Sequence, residues 1–208
     1  SPMPLSRFLF STLLAFAFNL LLSAEHSNFS LTDEVRAVYQ AIVRIEVVSE
    51  KGSGGRMMKA RSTGSGVIIS KDGLVLTNHH VAGKASRLTC RLHNGDELMA
   101  DLLGADAMTD LALLRLRLNE NGSNSEPLKI AEFGNSHKVK VGDTCFAMGS
   151  PAGLSQSVTK GIISNVALIS AGSQSFRLDG ENVGELVRWL GHDAVIYPGN
   201  SGGPVVNK

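Results

Sequence analysis

Three short segments carry side chains that together could attack a carbonyl group. Gly199-Asn200-Ser201-Gly202-Gly203-Pro204 places one hydroxyl among glycines. The low bulk beside Ser201 lets a substrate carbonyl approach, and the amides of Gly199 and Ser201 could face the oxygen on which negative charge develops. A serine in a glycine-rich turn is equally readable as an ordinary loop. Leu74-Val75-Leu76-Thr77-Asn78-His79-His80-Val81 is an apolar, strand-like run ending in histidine, and Thr109-Asp110-Leu111-Ala112-Leu113-Leu114 opens an apolar run with one carboxylate. Serine is a weak nucleophile near neutral pH and needs a base within hydrogen-bond reach, which histidine supplies. A carboxylate behind the imidazole would fix its tautomer. Asp110 also has a plainer reading, as an acid capping a turn.

The order histidine, aspartate, serine is that of the chymotrypsin-type triads and differs from that of the subtilisins and α/β-hydrolases. Thr77-Asn78-His79-His80-Val81, Asp110-Leu111-Ala112-Leu113-Leu114 and Pro198-Gly199-Asn200-Ser201-Gly202-Gly203-Pro204 together resemble the HtrA/Deg family of trypsin-like serine proteases. Phe133-Gly134-Asn135-Ser136, Val141-Gly142-Asp143, Gly149-Ser150-Pro151-Ala152-Gly153-Leu154 and Val158-Thr159-Lys160-Gly161-Ile162-Ile163-Ser164 are similar to that family as well. The similarity runs from about residue 38 to residue 206.

The resemblance implies an all-β chain of two packed antiparallel β-barrels, each of six-stranded type, with the site between them. It implies His80, Asp110 and Ser201 as catalytic residues, with the amides of Gly199 and Ser201 as the oxyanion hole. His80 matches the family position just before Val81, whereas His79 falls where that pattern varies, and strand alternation would point the two rings apart. Val195, six residues before the serine, is placed near the floor of the primary pocket. An apolar floor there favours small or medium aliphatic residues before the scissile bond. Asp193, in Asp193-Ala194-Val195-Ile196, is implied to structure a loop rather than to charge a pocket. Tyr197 and His192 depart from the family pattern beside the turn, which leaves the resting geometry of the oxyanion hole open.

The expected activity is therefore that of an exported serine endopeptidase acting on unfolded proteins or peptides in protein quality control. The family is often trimeric, so a homo-oligomer is an expectation too. The alternative is a protease fold held inactive as a binding or chaperone-like module. The vicinal histidines could suggest a metal, but no second cluster of ligands stands at suitable spacing, and neither metal nor cofactor is expected. An esterase elbow is disfavoured, because the Gly-x-Ser-x-Gly spacing with a following helix is not matched at Ser201. A formal net charge of +1 gives no reason to expect a nucleic-acid partner.

Several elements must position these residues. Arg7 precedes the apolar run 8–22 and the small pair Ser23-Ala24, the pattern of a secretory signal over residues 1–24. The run is short for a spanning helix and Asn19 interrupts it, so a cleaved signal with no stable membrane insertion afterwards is expected, the alternative being a retained anchor. Thr32-Asp33-Glu34 opens a capped amphipathic helix leading into the alternating strand Ile42-Val43-Arg44-Ile45-Glu46-Val47. Residues 50–63 are polar and glycine-rich and predict a long, mobile loop whose basic side chains are solvated. Gly64-Ser65-Gly66 reads as backbone flexibility before a strand. Asp72-Gly73 and Asn94-Gly95 mark hairpin turns.

Residues 119–125 form the natural joint between a first barrel, 25–125, and a second, 126–208. Pro204-Val205-Val206-Asn207-Lys208 begins a strand that the family continues, so the second barrel is expected to be truncated. Gly reaches 22 of 208 residues while aromatics are 5%, a balance that suits a turn-rich β protein. Only two cysteines are present, Cys90 and Cys145, and they read as buried thiols in different barrels.

Overall fold

The computed structural model describes residues 33–53, 55–118, 127–150, 157–168, 177–178, 181–182 and 187–207. The expected signal at 1–24, Thr32 of the helix cap, the joint at 119–125, residues 151–154 and Lys208 lie outside the described residues. Among the described residues, no helix is long and apolar enough to cross a membrane.

The first part of the chain runs α1 (Asp33–Gln40), β1 (Ile42–Ser53), β2 (Arg56–Ile68), β3 (Leu74–Thr77), α2 (His79–Ala82), β4 (Arg87–Arg91), β5 (Glu97–Asp106) and β6 (Leu111–Leu116). The six strands close into a barrel in the order β1-β2-β3-β6-β5-β4, with every neighbouring pair antiparallel. Alternation explains its interior. Val43, Ile45 and Val47 point inward from β1, Leu88 and Cys90 from β4, and Ala112, Leu114 and Leu116 from β6. Burying a Leu or Ile fully stabilises by about 1.5–3 kcal/mol, so this cluster holds the barrel shut. Gly73 and Gly95 adopt φ of +88° and +93°, as their tight hairpins demand. Leu128 and Ile130 also pack against this core, and the Ala131 amide donates to the Ile68 carbonyl at 2.9 Å.

Two expectations need correction here. Residues 50–63 are not a loop: β1 and β2 pair without interruption from Ile42↔Val67 to Ser53↔Arg56. Pairing of β1 with β4 stops at Val48, so the outer part of the hairpin is a two-stranded arm, and none of its described side chains is fully buried. Backbone pairing sustains it, and the polar sequence hides it. Met57 and Met58 near its tip are exposed. Nor do His79 and His80 end a strand. β3 stops at Thr77 and the histidines open α2, so strand alternation does not govern their rings.

Beyond the first barrel come a 3-10 turn (Ser136–Lys138), β7 (Thr144–Gly149), β8 (Ser157–Leu168), β9 (Arg177–Leu178), β10 (Glu181–Asn182), β11 (Trp189–His192) and β12 (Val205–Asn207). A four-stranded antiparallel sheet has the order β11-β8-β7-β12, and β9 pairs with β10 separately. Cys145, Ala147, Ile163 and Ala194 form the core under the larger sheet. Both cysteines are buried free thiols.

Candidate active site

Asp110 gathers the segment after β3 around itself. It is 3% exposed and sits at φ +55°, in the left-handed region that aspartate tolerates better than most side chains. Its backbone carbonyl accepts from Asn78 Nδ2 at 2.9 Å and from the His79 amide at 3.0 Å. Its carboxylate accepts from the His80 amide at 2.9 Å through Oδ1, while Oδ2 lies 2.8 Å from His80 Nδ1. Both ends of the aspartate thus hold residues 78–80, one through the main chain and one through the side chain. A carboxylate facing Nδ1 favours the proton on that nitrogen, which leaves Nε2 as the acceptor. The ring and amide also offset the cost of burying the carboxylate.

The turn bearing Ser201 packs directly on this region. Gly199 and Gly202 adopt φ of +101° and +85°. The Asn200 amide donates to Tyr197 O at 3.0 Å, and the Gly203 amide donates to Asn200 O at 2.8 Å. At Gly202 a side chain would collide with the Ser65 carbonyl and the Thr77 hydroxyl, and would lie 3.2 Å from the Asn78 amide. The turn and the start of α2 are therefore in backbone contact, although Ser201 and His80 are 121 positions apart in sequence (201 − 80). Among the described residues, the amides of Gly199 and Ser201 donate no hydrogen bond. Among those same residues, Ser201 Oγ makes no hydrogen bond to His80; such bonds are often long before substrate arrives.

The remaining expected positions lie close by in sequence. Val195 is 53% exposed, and its carbonyl accepts from Thr159 Oγ1 at 2.7 Å. Asp193 Oδ1 accepts from the Ile162 amide at 2.7 Å, tying its loop to β8. Tyr197 is half exposed beside the turn. The residue that sequence reasoning passed over is Ser65. It lies within β2 rather than before a strand, and it is fully buried. Its hydroxyl donates to Gly199 O at 2.6 Å. Glycines on both sides made it resemble a hinge. They are instead what lets two backbones approach: a side chain at Gly64 would strike Val81 and come within 3.2 Å of Ser201 O.

Residues 64–208 match the family model described as the trypsin-like peptidase domain. A relative from Pseudomonas fulva (strain 12-X), named a probable periplasmic serine endoprotease DegP-like, is 42% identical over 156 residues, 75% of this chain and 29% of its own length. One of the same name from Chlamydia trachomatis serovar D is 38% identical over 144 residues, 69% of this chain and 26% of its own. The chain thus spans less than a third of the length of these relatives. Among solved structures, the HtrA-type protease AlgW with tripeptide aligns with a TM-score of 0.66 at 32% identity, over 84% of this chain and 49% of its own. AlgW with decapeptide gives 0.62 at 30% identity, over 84% and 55%.

Proposed function

The chain belongs to the trypsin-like peptidase domain family, in its HtrA/Deg group, and from that membership we propose that it is a serine endopeptidase using His80, Asp110 and Ser201. What supports this most is the grip of Asp110 on both the amide and Nδ1 of His80. In the reaction His80 Nε2 takes the Ser201 proton as Oγ attacks the scissile carbonyl. The tetrahedral oxyanion is held by the Gly199 and Ser201 amides. The C–N bond then breaks, His80 returns the proton to the leaving amine, and water attacks the acyl-enzyme by the same route. Asp110 stabilises the imidazolium without taking its proton.

The substrates in this proposal are unfolded proteins or peptides, and the setting is extracytoplasmic, as the names of the relatives suggest. Residues 1–24 act as the export signal, 25–125 carry the first barrel and 126–208 carry the second, with Leu128 and Ile130 reaching back onto the first core. Intact mass of the exported protein checks the signal: a product still carrying residues 1–24 overturns that part. Val195 favours aliphatic residues before the scissile bond, which peptides differing only as valine or lysine at that position would reveal. The homo-oligomer, a trimer by resemblance, is checked by sedimentation. Ser201→Ala is expected to abolish both casein cleavage and fluorophosphonate labelling while leaving the thermal midpoint within a few degrees. Undiminished cleavage by that variant would overturn the assignment. The unjoined Ser201 and His80 favour a second reading, a protease fold at rest as a binding module; slow labelling of the unmodified protein would support it.

A further inference from the structure

We infer that Ser65 is a positioning residue for the proposed reaction, holding the nucleophile turn against the first barrel so that the Ser201 amide faces the substrate. The inference rests on the serine endopeptidase reading. The carbonyl of Gly199 accepts from Ser65 Oγ at 2.6 Å. That of Asn200 accepts from the Gly203 amide at 2.8 Å, and that of Ser201 accepts from the Ser65 amide at 2.7 Å. Three successive carbonyls are thus occupied, two of them by one residue. In a planar trans peptide the N–H points opposite the C=O. Fixing the Asn200 carbonyl therefore fixes the Ser201 amide, and the bonds on either side stop the turn from rotating around it.

The direction of the Ser65 proton is settled by its other partner. The Ser150 amide donates to Ser65 Oγ at 2.8 Å, so Oγ is the acceptor there and its single proton is committed to Gly199. The Ser65 carbonyl is held in turn by Thr77 Oγ1 at 2.7 Å, one turn of chain before His80. One buried hydroxyl and its own peptide groups therefore connect the end of β3, the end of β7 and the turn of Ser201. The restraint is needed because Gly199, at φ +101°, has no Cβ to limit its backbone. Without the Ser65 hydroxyl the Gly199 carbonyl loses its partner, and the peptide beside the proposed oxyanion hole keeps only the bond from its Asn200 amide to Tyr197 O.

The test compares the full chain with Ser65→Ala, using fluorophosphonate labelling and turnover of a short peptide. Loss of the hydroxyl is expected to slow labelling and lower kcat by about tenfold to a hundredfold. KM should stay within about twofold, because the substrate-binding surface is untouched. Labelling of Ser65→Ala at the unmodified rate overturns the inference, and so does a loss carried by KM alone. If Ser65→Ala does not unfold cooperatively, Ser65→Cys keeps the bulk with a weak donor and must show the slowed labelling; an unmodified rate there also overturns it. If the unmodified protein does not label at all, the endopeptidase reading fails instead. Positioning is then judged by amide exchange at Asn200 and Gly203. Faster exchange in Ser65→Ala supports it, and unchanged protection defeats it.

Discussion

At the scale of single residues, the site depends on where side chains are missing as much as on where they are present. Gly202 combines a left-handed φ of +85° with a Cβ direction blocked by the Ser65 carbonyl and Thr77 hydroxyl. Gly202→Ala must either strain its backbone or push the turn off β2. We expect it to cost about 2–4 kcal/mol in urea-induced unfolding and to remove labelling of Ser201 as well. A stable, rapidly labelled Gly202→Ala protein would contradict the packing described. His80, Asp110 and Ser201 could be singled out from the sequence as candidates, because each sits in a motif whose proposed chemistry requires that residue type. Ser65 was not legible, because its role lies in its partners, Gly199 and Ser150, which are remote in sequence. A lone hydroxyl between glycines has the composition of a hinge, and only the pairing of β1 with β2 shows it to be rigid.

At the scale of elements, hydrophobic alternation and turn residues sufficed wherever a strand has one buried face. The hairpins at Gly73 and Gly95 formed as their patterns suggest. The arm of β1 and β2 escaped notice because none of its described side chains is fully buried, so no alternation marks it. The start of α2 escaped for a different reason. Asn78 is a good helix-capping residue, but its side chain is spent on Asp110 O, and a helix of one turn carries too little periodicity to read. Strand β4 offers a test of how tightly the barrel is closed. Burial pushes the Cys90 thiol from its ordinary 9.0 up to about 12, so the neutral thiol is favoured in the folded chain. The stabilisation from this group is complete below about pH 9 and is lost as pH rises towards 12. Urea midpoints between pH 8 and 11 (chosen for about the pH window of thiol ionisation) should fall more steeply for the unmodified protein than for Cys90→Ala. Parallel profiles would show that the thiol is not sealed in the barrel.

At the scale of the whole molecule, the proposed reactive groups are contributed by two β units that meet through backbone. His80 and Asp110 belong to the closed barrel, while Ser201 lies on the turn leading into β12, and β2 receives that turn through Ser65. Denaturant should therefore abolish fluorophosphonate incorporation in the same transition that opens the barrel as followed by circular dichroism. Labelling that outlasts the barrel would show the turn to be independent of it. The seam between β2 and the Ser201 turn also bears on self-digestion. Under the proposed reaction, a molecule that begins to come apart would expose chain that its neighbours could cleave, yet would release its proposed nucleophile from its supports at the same moment. A damaged copy would then be open to cutting but unable to cut.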